Sequence, residues 1–120
     1  MSSGKFDVII AGSRVFNDYQ MLARHCDYLF SAHKPTSIIS GTARGADTLG
    51  ERYAKERGIP VQRFPAQWDK YGKRAGYLRN QEMLDHADGL IAAWDGKSKG
   101  TAHMIEIAKQ KGIPVRILRF

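Results

Sequence analysis

The chain has 120 residues with a hydrophobic fraction of 42%, which suits one globular domain and argues against intrinsic disorder. Its formal net charge of +7 would attract an anionic ligand or a nucleic acid, although it would equally promote solubility. No apolar run approaches the roughly 20 residues of a membrane span, and the first residues lack the apolar stretch of a signal peptide. We therefore expect a cytoplasmic protein with no membrane partner.

Cysteine and histidine usage gives no sign of a metal centre. Cys26 is the one cysteine, and it lies in a helical pattern beside Leu22 and Leu29, so we expect it to be a core residue. The four histidines lack the spacing of zinc ligands. We expect no metal site and no cofactor.

Strand-like and helical patterns alternate along the chain. A buried apolar run at residues 6–11 predicts the first strand, and apolar residues at helical spacing predict a helix within 17–32. The later predicted elements are, in order, strand 36–40, helix 46–57, strand 61–64, helix 75–86, strand 89–94, helix 101–111 and strand 115–120. This alternation predicts a three-layer Rossmann-like α/β domain spanning 1–120, with a parallel sheet of about five strands. The first strand is apolar on both faces, so we place it at the centre.

One helix-to-strand turn occurs twice. Residues 54–61 and 108–115 share the pattern Ala-Lys-x-x-Gly-Ile-Pro-Val. In both copies cations oppose the dipole of a last helical turn, glycine ends the helix and proline opens the next strand. The repetition supports a βαβ array.

Glycine, hydroxyl and charged residues follow three of the predicted strands. They are Gly12, Ser13 and Arg14 after the first strand, Gly41, Thr42, Arg44 and Asp47 after the second, and Asp95, Gly100 and Thr101 after the fourth. Ligands of parallel α/β sheets bind at the carboxyl ends of the strands, where N–H groups at helix starts and arginine side chains favour anions. Ordinary helix capping explains each loop taken alone. Three such loops at one edge predict a phosphate site.

Residues 65–80 form a long connection that ends near the same edge. Trp68 and Tyr71 argue against disorder, and such an aromatic residue either stacks on a base or pins the loop to the core. Arg79 and Asn80 are expected at the start of the following helix, facing the three loops. The guanidinium of Arg79 suits a phosphate, so we expect it to contribute more to ligand binding than any other side chain.

Several motifs together resemble a known family. They are Gly12-Ser13-Arg14, residues 41–47, Pro65-Ala66-Gln67-Trp68, residues 75–83, and residues 87–94 with Gly100-Thr101. They resemble the YspA-like branch of the SLOG superfamily, which occurs in bacteria and phages and is related to the Lonely Guy phosphoribohydrolases and to DprA. The resemblance implies a Rossmann-like fold, binding of nucleotides, nucleotide derivatives or nucleic acid, and a homo-oligomer, since relatives often dimerise.

The chain departs from the Lonely Guy pattern at one functional position. Arg79 matches the arginine of those enzymes, Asn80 replaces their lysine, and Gly100 and Thr101 match their Gly-Thr pair. Their catalytic glutamate would fall at Met104. The resemblance therefore implies retained phosphate binding, while the hydrolase activity stays an open question.

Three functions agree with these patterns. The first is binding or sensing of a nucleotide-derived, phosphate-bearing small molecule. The second is hydrolysis of an N-glycosidic or phosphoester bond in such a molecule, with Asp47, Asp95 and Glu106 as candidate carboxylates. The third is binding of single-stranded nucleic acid, for which the net charge and the aromatic residues are the support.

Overall fold

The computed structural model of the chain describes residues 5–120 and contains a five-stranded sheet with strand order β3-β2-β1-β4-β5. The strands are β1 (Asp7–Gly12), β2 (Ser37–Ser40), β3 (Val61–Arg63), β4 (Gly89–Trp94) and β5 (Val115–Arg119). The helices are α1 (Tyr19–Leu29), α2 (Ala46–Arg57), α3 (Trp68–Tyr71), α4 (Ala75–Asp85) and α5 (Lys99–Lys111). Every strand pair is parallel, so the predicted Rossmann-like sheet with a central first strand is confirmed.

The side chains of β1 contribute to two separate cores. Val8 and Ile10 pack with residues of α1 and α2 on one face of the sheet. Ile9 and Ala11 pack with residues of α4 and α5 on the other face. Helices thus cover both faces, and this explains why β1 is apolar at successive positions.

Helix α1 begins two residues later than predicted because the side chain of Asp18 caps it. The Asp18 carboxylate accepts a hydrogen bond from the Met21 N–H at 3.0 Å. Within this helix Cys26 is completely buried, as expected, and burial raises the pKa of its thiol to about 12. The cysteine is therefore an unreactive part of the core.

The repeated helix-to-strand turn is confirmed in both places. Gly58 and Gly112 each end a helix in the left-handed conformation, with φ of 69° and 85°. The chain then enters β3 after Gly58 and β5 after Gly112, and these are the two edge strands of the sheet. The same local sequence therefore leads into both edge strands of the sheet.

The connection at residues 65–80 is more ordered than predicted. It contains α3, a turn of 3-10 helix at Gly72–Arg74 and the first half of α4. Arg79 and Asn80 consequently lie in the second turn of α4, not at its start. Helices this short have too few residues for a recognisable period, which is why the sequence pattern missed them. Across residues 5–120, no helix is long and apolar enough to cross a membrane.

Candidate functional site

A cavity of about 420 Å³ lies at the carboxyl ends of β1 and β4. Its walls come from the loops after these two strands, the first turns of α2 and α5, and parts of α3 and α4. The predicted site residues that line it are Gly12, Ser13, Arg14, Asp47, Trp68, Arg79, Asn80, Asp95, Gly100 and Thr101. Residues far apart in sequence are thus brought to one place by the parallel sheet.

Two glycines lock the loops of this cavity together. Gly12 has φ of 151°, and a Cβ atom there would overlap the carbonyl oxygen of Ala93 in β4. Gly45 has φ of 74°, and its Cβ would overlap the carbonyl oxygen of Ser13. The same backbones are joined by hydrogen bonds from the N–H of Ser13 to Ala93 (2.8 Å) and from the N–H of Ala46 to Ser13 (3.2 Å). Only glycine permits this close approach.

Arg79 is half-buried and held from two sides. Its Nη1 donates a hydrogen bond to the Gly41 carbonyl oxygen, and its Nε donates to Oδ1 of Asn80 at 3.1 Å. Its Nη2 makes no hydrogen bond to any residue of the described chain and lies near Gly76, in the cavity wall. Burial lowers the pKa of the guanidinium and nearby Asp47 opposes that effect, but arginine stays charged at neutral pH. The cavity therefore contains a fixed cation whose Nη2 can still donate a hydrogen bond to a ligand.

Asp47 is a buried carboxyl at the amino end of α2. Its Oδ2 accepts a hydrogen bond from the N–H of Ala43 at 3.0 Å. Burial raises the pKa of Asp47 to about 6, whereas this hydrogen bond and the charge of Arg79 act in the opposite direction. Asp47 thus lies in the first turn of the helix at which we expected a ligand anion, but its carboxyl binds the loop before that helix.

The other predicted residues of the loop after β2 are outside the cavity lining. Gly41 is buried behind Arg79, and the side chains of Thr42 and Arg44 are exposed. Thr42 has φ of 64°, which costs a β-branched residue roughly 1–2 kcal/mol. Its N–H is held by Oγ of Ser40 at 3.1 Å. This loop is therefore fixed by internal contacts and reaches the cavity through Asp47 and Ala43.

Asp95 holds in place the loop that forms the cavity wall at the start of α5. Its Oδ1 accepts hydrogen bonds from the N–H groups of Lys97 and Ser98, both at 2.9 Å, and Ser13 Oγ donates to Oδ2 at 3.4 Å. The two N–H groups hold the pKa of Asp95 below its usual range, so this group is a carboxylate at neutral pH. Ser98 in turn caps α5. Asp95 therefore shapes the loop that presents Gly100 and Thr101.

Met104 and Glu106 differ in where α5 places them. Met104, at the position of the Lonely Guy glutamate, is buried and lines the cavity. Glu106 is exposed and lines a separate groove between α5 and β5. Of the three candidate carboxylates, the structure brings only Asp47 and Asp95 to the cavity.

Several lining residues were not predicted from the sequence. They are Ala11, Val15, Ala43, Lys73, Gly76, Tyr77, Met83, Ser98 and Met104. Gly76 and Met83 share a helical face with Asn80 in the helix predicted over 75–86, so the spacing i, i+4, i+7 could have identified them. Lys73 and Val15 carried no such signal. Tyr77 packs edge-on against His103, with ring centroids 4.6 Å apart, at the rim of the cavity.

The raised pKa of Asp47 predicts a pH-dependent stability difference. The folded-state pKa of about 6 exceeds the usual 3.8, so the carboxyl contributes stability at low pH that is lost as the pH rises towards 6. The Asp47→Asn variant stays neutral at both pH values. We therefore expect its free energy of unfolding, relative to that of the wild type, to increase by about 1–3 kcal/mol from about pH 4 to about pH 8. Urea denaturation at the two pH values measures this difference. The exposed Asp69→Asn change is the control, and a difference for Asp47→Asn that does not vary with pH would contradict the prediction.

Together, the parallel sheet, its strand order and the cavity at its carboxyl edge define a Rossmann-like α/β domain. The model of the YspA, cpYpsA-related SLOG family matches residues 6–71, and the chain belongs to this family. Membership is generally linked to binding of nucleotide-derived ligands.

One similar protein supports this family assignment, and one solved structure shares the fold. The chain is 38% identical over 118 residues to the Gene 61 protein of Mycobacterium phage D29, and the match covers 90% of this chain and 92% of the phage protein. The solved structure of DNA processing protein A (DprA) from Streptococcus pneumoniae matches with a TM-score of 0.74 and 18% identity. That match covers 94% of this chain but 50% of DprA, so this chain spans half of DprA's length, and the similarity establishes a shared fold.

Proposed function

We propose that this protein binds or senses a nucleotide-derived, phosphate-bearing small molecule in the cavity at the carboxyl edge of the sheet. The observation that carries the proposal is the half-buried guanidinium of Arg79, which lines the cavity with its Nη2 uncommitted. Arg14 and Lys73 add cationic side chains to the same lining. A planar, fixed donor of this kind suits a phosphate.

Other lining residues complete the requirements of a nucleotide. Ser13, Gly100 and Thr101 offer hydroxyl or backbone groups near the phosphate position, and Asn80 offers its amide. Asp47 and Asp95 are the acceptors for sugar hydroxyls. Trp68, which is 49% exposed, and Tyr77, 46% exposed, place aromatic rings at the rim for stacking on a base. Gly41 contributes indirectly, because its carbonyl orients Arg79, whereas Thr42 and Arg44 lie outside the cavity lining.

Native mass spectrometry of the purified protein tests the proposal. We expect a bound mass of nucleotide size that is lost on denaturation and absent from the Arg79→Ala variant. The same spectra give the oligomeric state, for which we expect a homo-oligomer. Calorimetric titration with a panel of nucleotides follows if the protein purifies empty. No bound mass and no heat with any nucleotide would reject the proposal.

A hydrolase is the second candidate, and Asp47 is the observation that favours it. A carboxyl with a pKa of about 6 in the cavity suits proton transfer near neutral pH, and a carboxylate also stabilises the oxocarbenium-like state of N-glycoside cleavage. Met104 in place of the Lonely Guy glutamate favours binding without hydrolysis. Chromatography of nucleotides incubated with the wild type and with Asp47→Asn separates the two functions. Turnover that depends on Asp47 would establish the hydrolase.

A further inference from the structure

A second cavity adjoins the first on the other side of Arg79. It has a volume of about 380 Å³, and its lining includes Tyr71, Arg74, Leu78, Arg79 and Glu82. Each cavity falls within the roughly 300–1,000 Å³ of a small-molecule site. Arg79 lines both. Arg79 therefore lies between two pockets and not at the end of one.

The two cavities lie along different faces of α4. Gly76, Asn80 and Met83 line the first cavity, and Ala75, Leu78 and Glu82 line the second. Each set follows helical spacing, and Arg79 is one turn after both Ala75 and Gly76, at the boundary of the two faces. Helix α4 thus separates the two cavities, and Arg79 lies at the boundary between them.

The short segment before α4 contributes the same kinds of side chain to both cavities. Trp68 and Lys73 line the first cavity, whereas Tyr71 and Arg74 line the second. This segment consequently gives each cavity one aromatic ring and one cation, in addition to the shared Arg79. Lys70, whose ammonium lies 5.1 Å from the centre of the Tyr71 ring, adds positive charge beside the second cavity.

We propose, resting on the function proposed above, that the ligand is a dinucleotide: two nucleosides joined through phosphate, with one base in each cavity. An aromatic ring and a cation are the two groups that hold a base and its phosphate. The shared Arg79 then lies where the linking phosphates cross from one cavity to the other. Glu82 in the second cavity is an acceptor for sugar hydroxyls or an exocyclic amine.

The charges at the second cavity favour a dinucleotide over a longer strand. Continuous strands are held by grooves whose cations follow the backbone. Here Glu82 places a carboxylate in the lining of the second cavity, and Pro65 provides another part of its wall. A further phosphate beyond this point would meet like charge.

Calorimetry with matched ligands tests the proposal. The probes are AMP, diadenosine pyrophosphate, the corresponding guanine compounds and an eight-nucleotide DNA strand. We expect the dinucleotide of the preferred base to bind at least about tenfold more tightly than its mononucleotide, since one stacked base alone contributes this much. Tyr71→Ala and Arg74→Ala should each remove most of this advantage while leaving mononucleotide affinity within about twofold. Trp68→Ala should weaken both ligands.

Two surface variants serve as controls. Tyr28→Ala removes a ring that is 76% exposed on α1, and Arg116→Ala removes an exposed cation on β5, so both should bind like the wild type. Equal affinity for mononucleotide and dinucleotide, unaffected by Tyr71→Ala, overturns the dinucleotide proposal but leaves the proposed function standing. Affinity that rises further with the eight-nucleotide strand overturns it in favour of a nucleic acid. No binding of any probe overturns the proposed function itself.

Discussion

Replacing Arg79 with alanine is expected to weaken nucleotide binding by about 2–4 kcal/mol, the range for removing one partner of a buried charged pair. The guanidinium is fixed by the Gly41 carbonyl and by Asn80, so its uncommitted Nη2 is oriented before the ligand arrives. Little conformational entropy is lost on binding as a result. Titration calorimetry with the nucleotide found by mass spectrometry measures the loss.

Two further variants show whether geometry or charge is responsible. Arg79→Lys keeps the charge but loses the planar group that Gly41 and Asn80 hold in place, so we expect it to recover less than half of the lost binding free energy. Arg116→Ala removes a cation far from the cavity and should leave the affinity unchanged. The unliganded Arg79→Ala protein should lose about 1 kcal/mol of stability, because the Gly41 carbonyl loses its donor. Wild-type affinity in Arg79→Ala, or collapse of its unliganded fold, would contradict the prediction.

The Gly12→Ala variant is expected to lose about 3 kcal/mol of unfolding free energy or more. The added methyl would overlap the Ala93 carbonyl oxygen, an atom of the central part of the sheet that cannot turn aside. Relief requires β1 and β4 to separate, which would also break the hydrogen bond from the Ser13 N–H to Ala93. Urea denaturation gives the change in stability.

Gly100→Ala is the matched control for Gly12→Ala. Gly100 lies in the first turn of α5, and a Cβ atom there would have no neighbour within 4 Å. Alanine also favours helix over glycine, so this variant should equal or slightly exceed the wild type in stability. The same loss of stability in both variants would show that close approach at Gly12 is not the cause.

Most of the fold could be predicted from the sequence because periodicity and turn chemistry are local. The apolar run at β1, the repeated Gly-Ile-Pro turn and the alternation of strands and helices were sufficient for a parallel sheet with β1 at its centre. Helix α3 and the 3-10 turn could not be predicted in this way. Trp68–Tyr71 is a single turn, and one turn has no period to detect.

The cavity could be predicted only in part, because its shape depends on contacts between loops. Placing Gly12, Ser13 and Thr101 at one edge follows from the general rule for parallel sheets. The position of the Asp47 carboxyl does not, since it turns back from the first turn of α2 onto the N–H of Ala43 in the preceding loop. The role of Gly41 likewise became visible only with the guanidinium of Arg79 against its carbonyl.

The buried thiol of Cys26 offers a direct way to measure how often the folded protein opens. The chain has one cysteine, and no part of that side chain is exposed. A disulfide reagent therefore reaches the sulfur only in molecules whose core has opened around Cys26, so its reaction rate reports how often this opening occurs under native conditions. A compound that binds the folded form but not the opened form slows this reaction, because only the unoccupied molecules can open. Unlabelled candidate ligands can thus be ranked by affinity from how strongly each one slows a colorimetric thiol reaction.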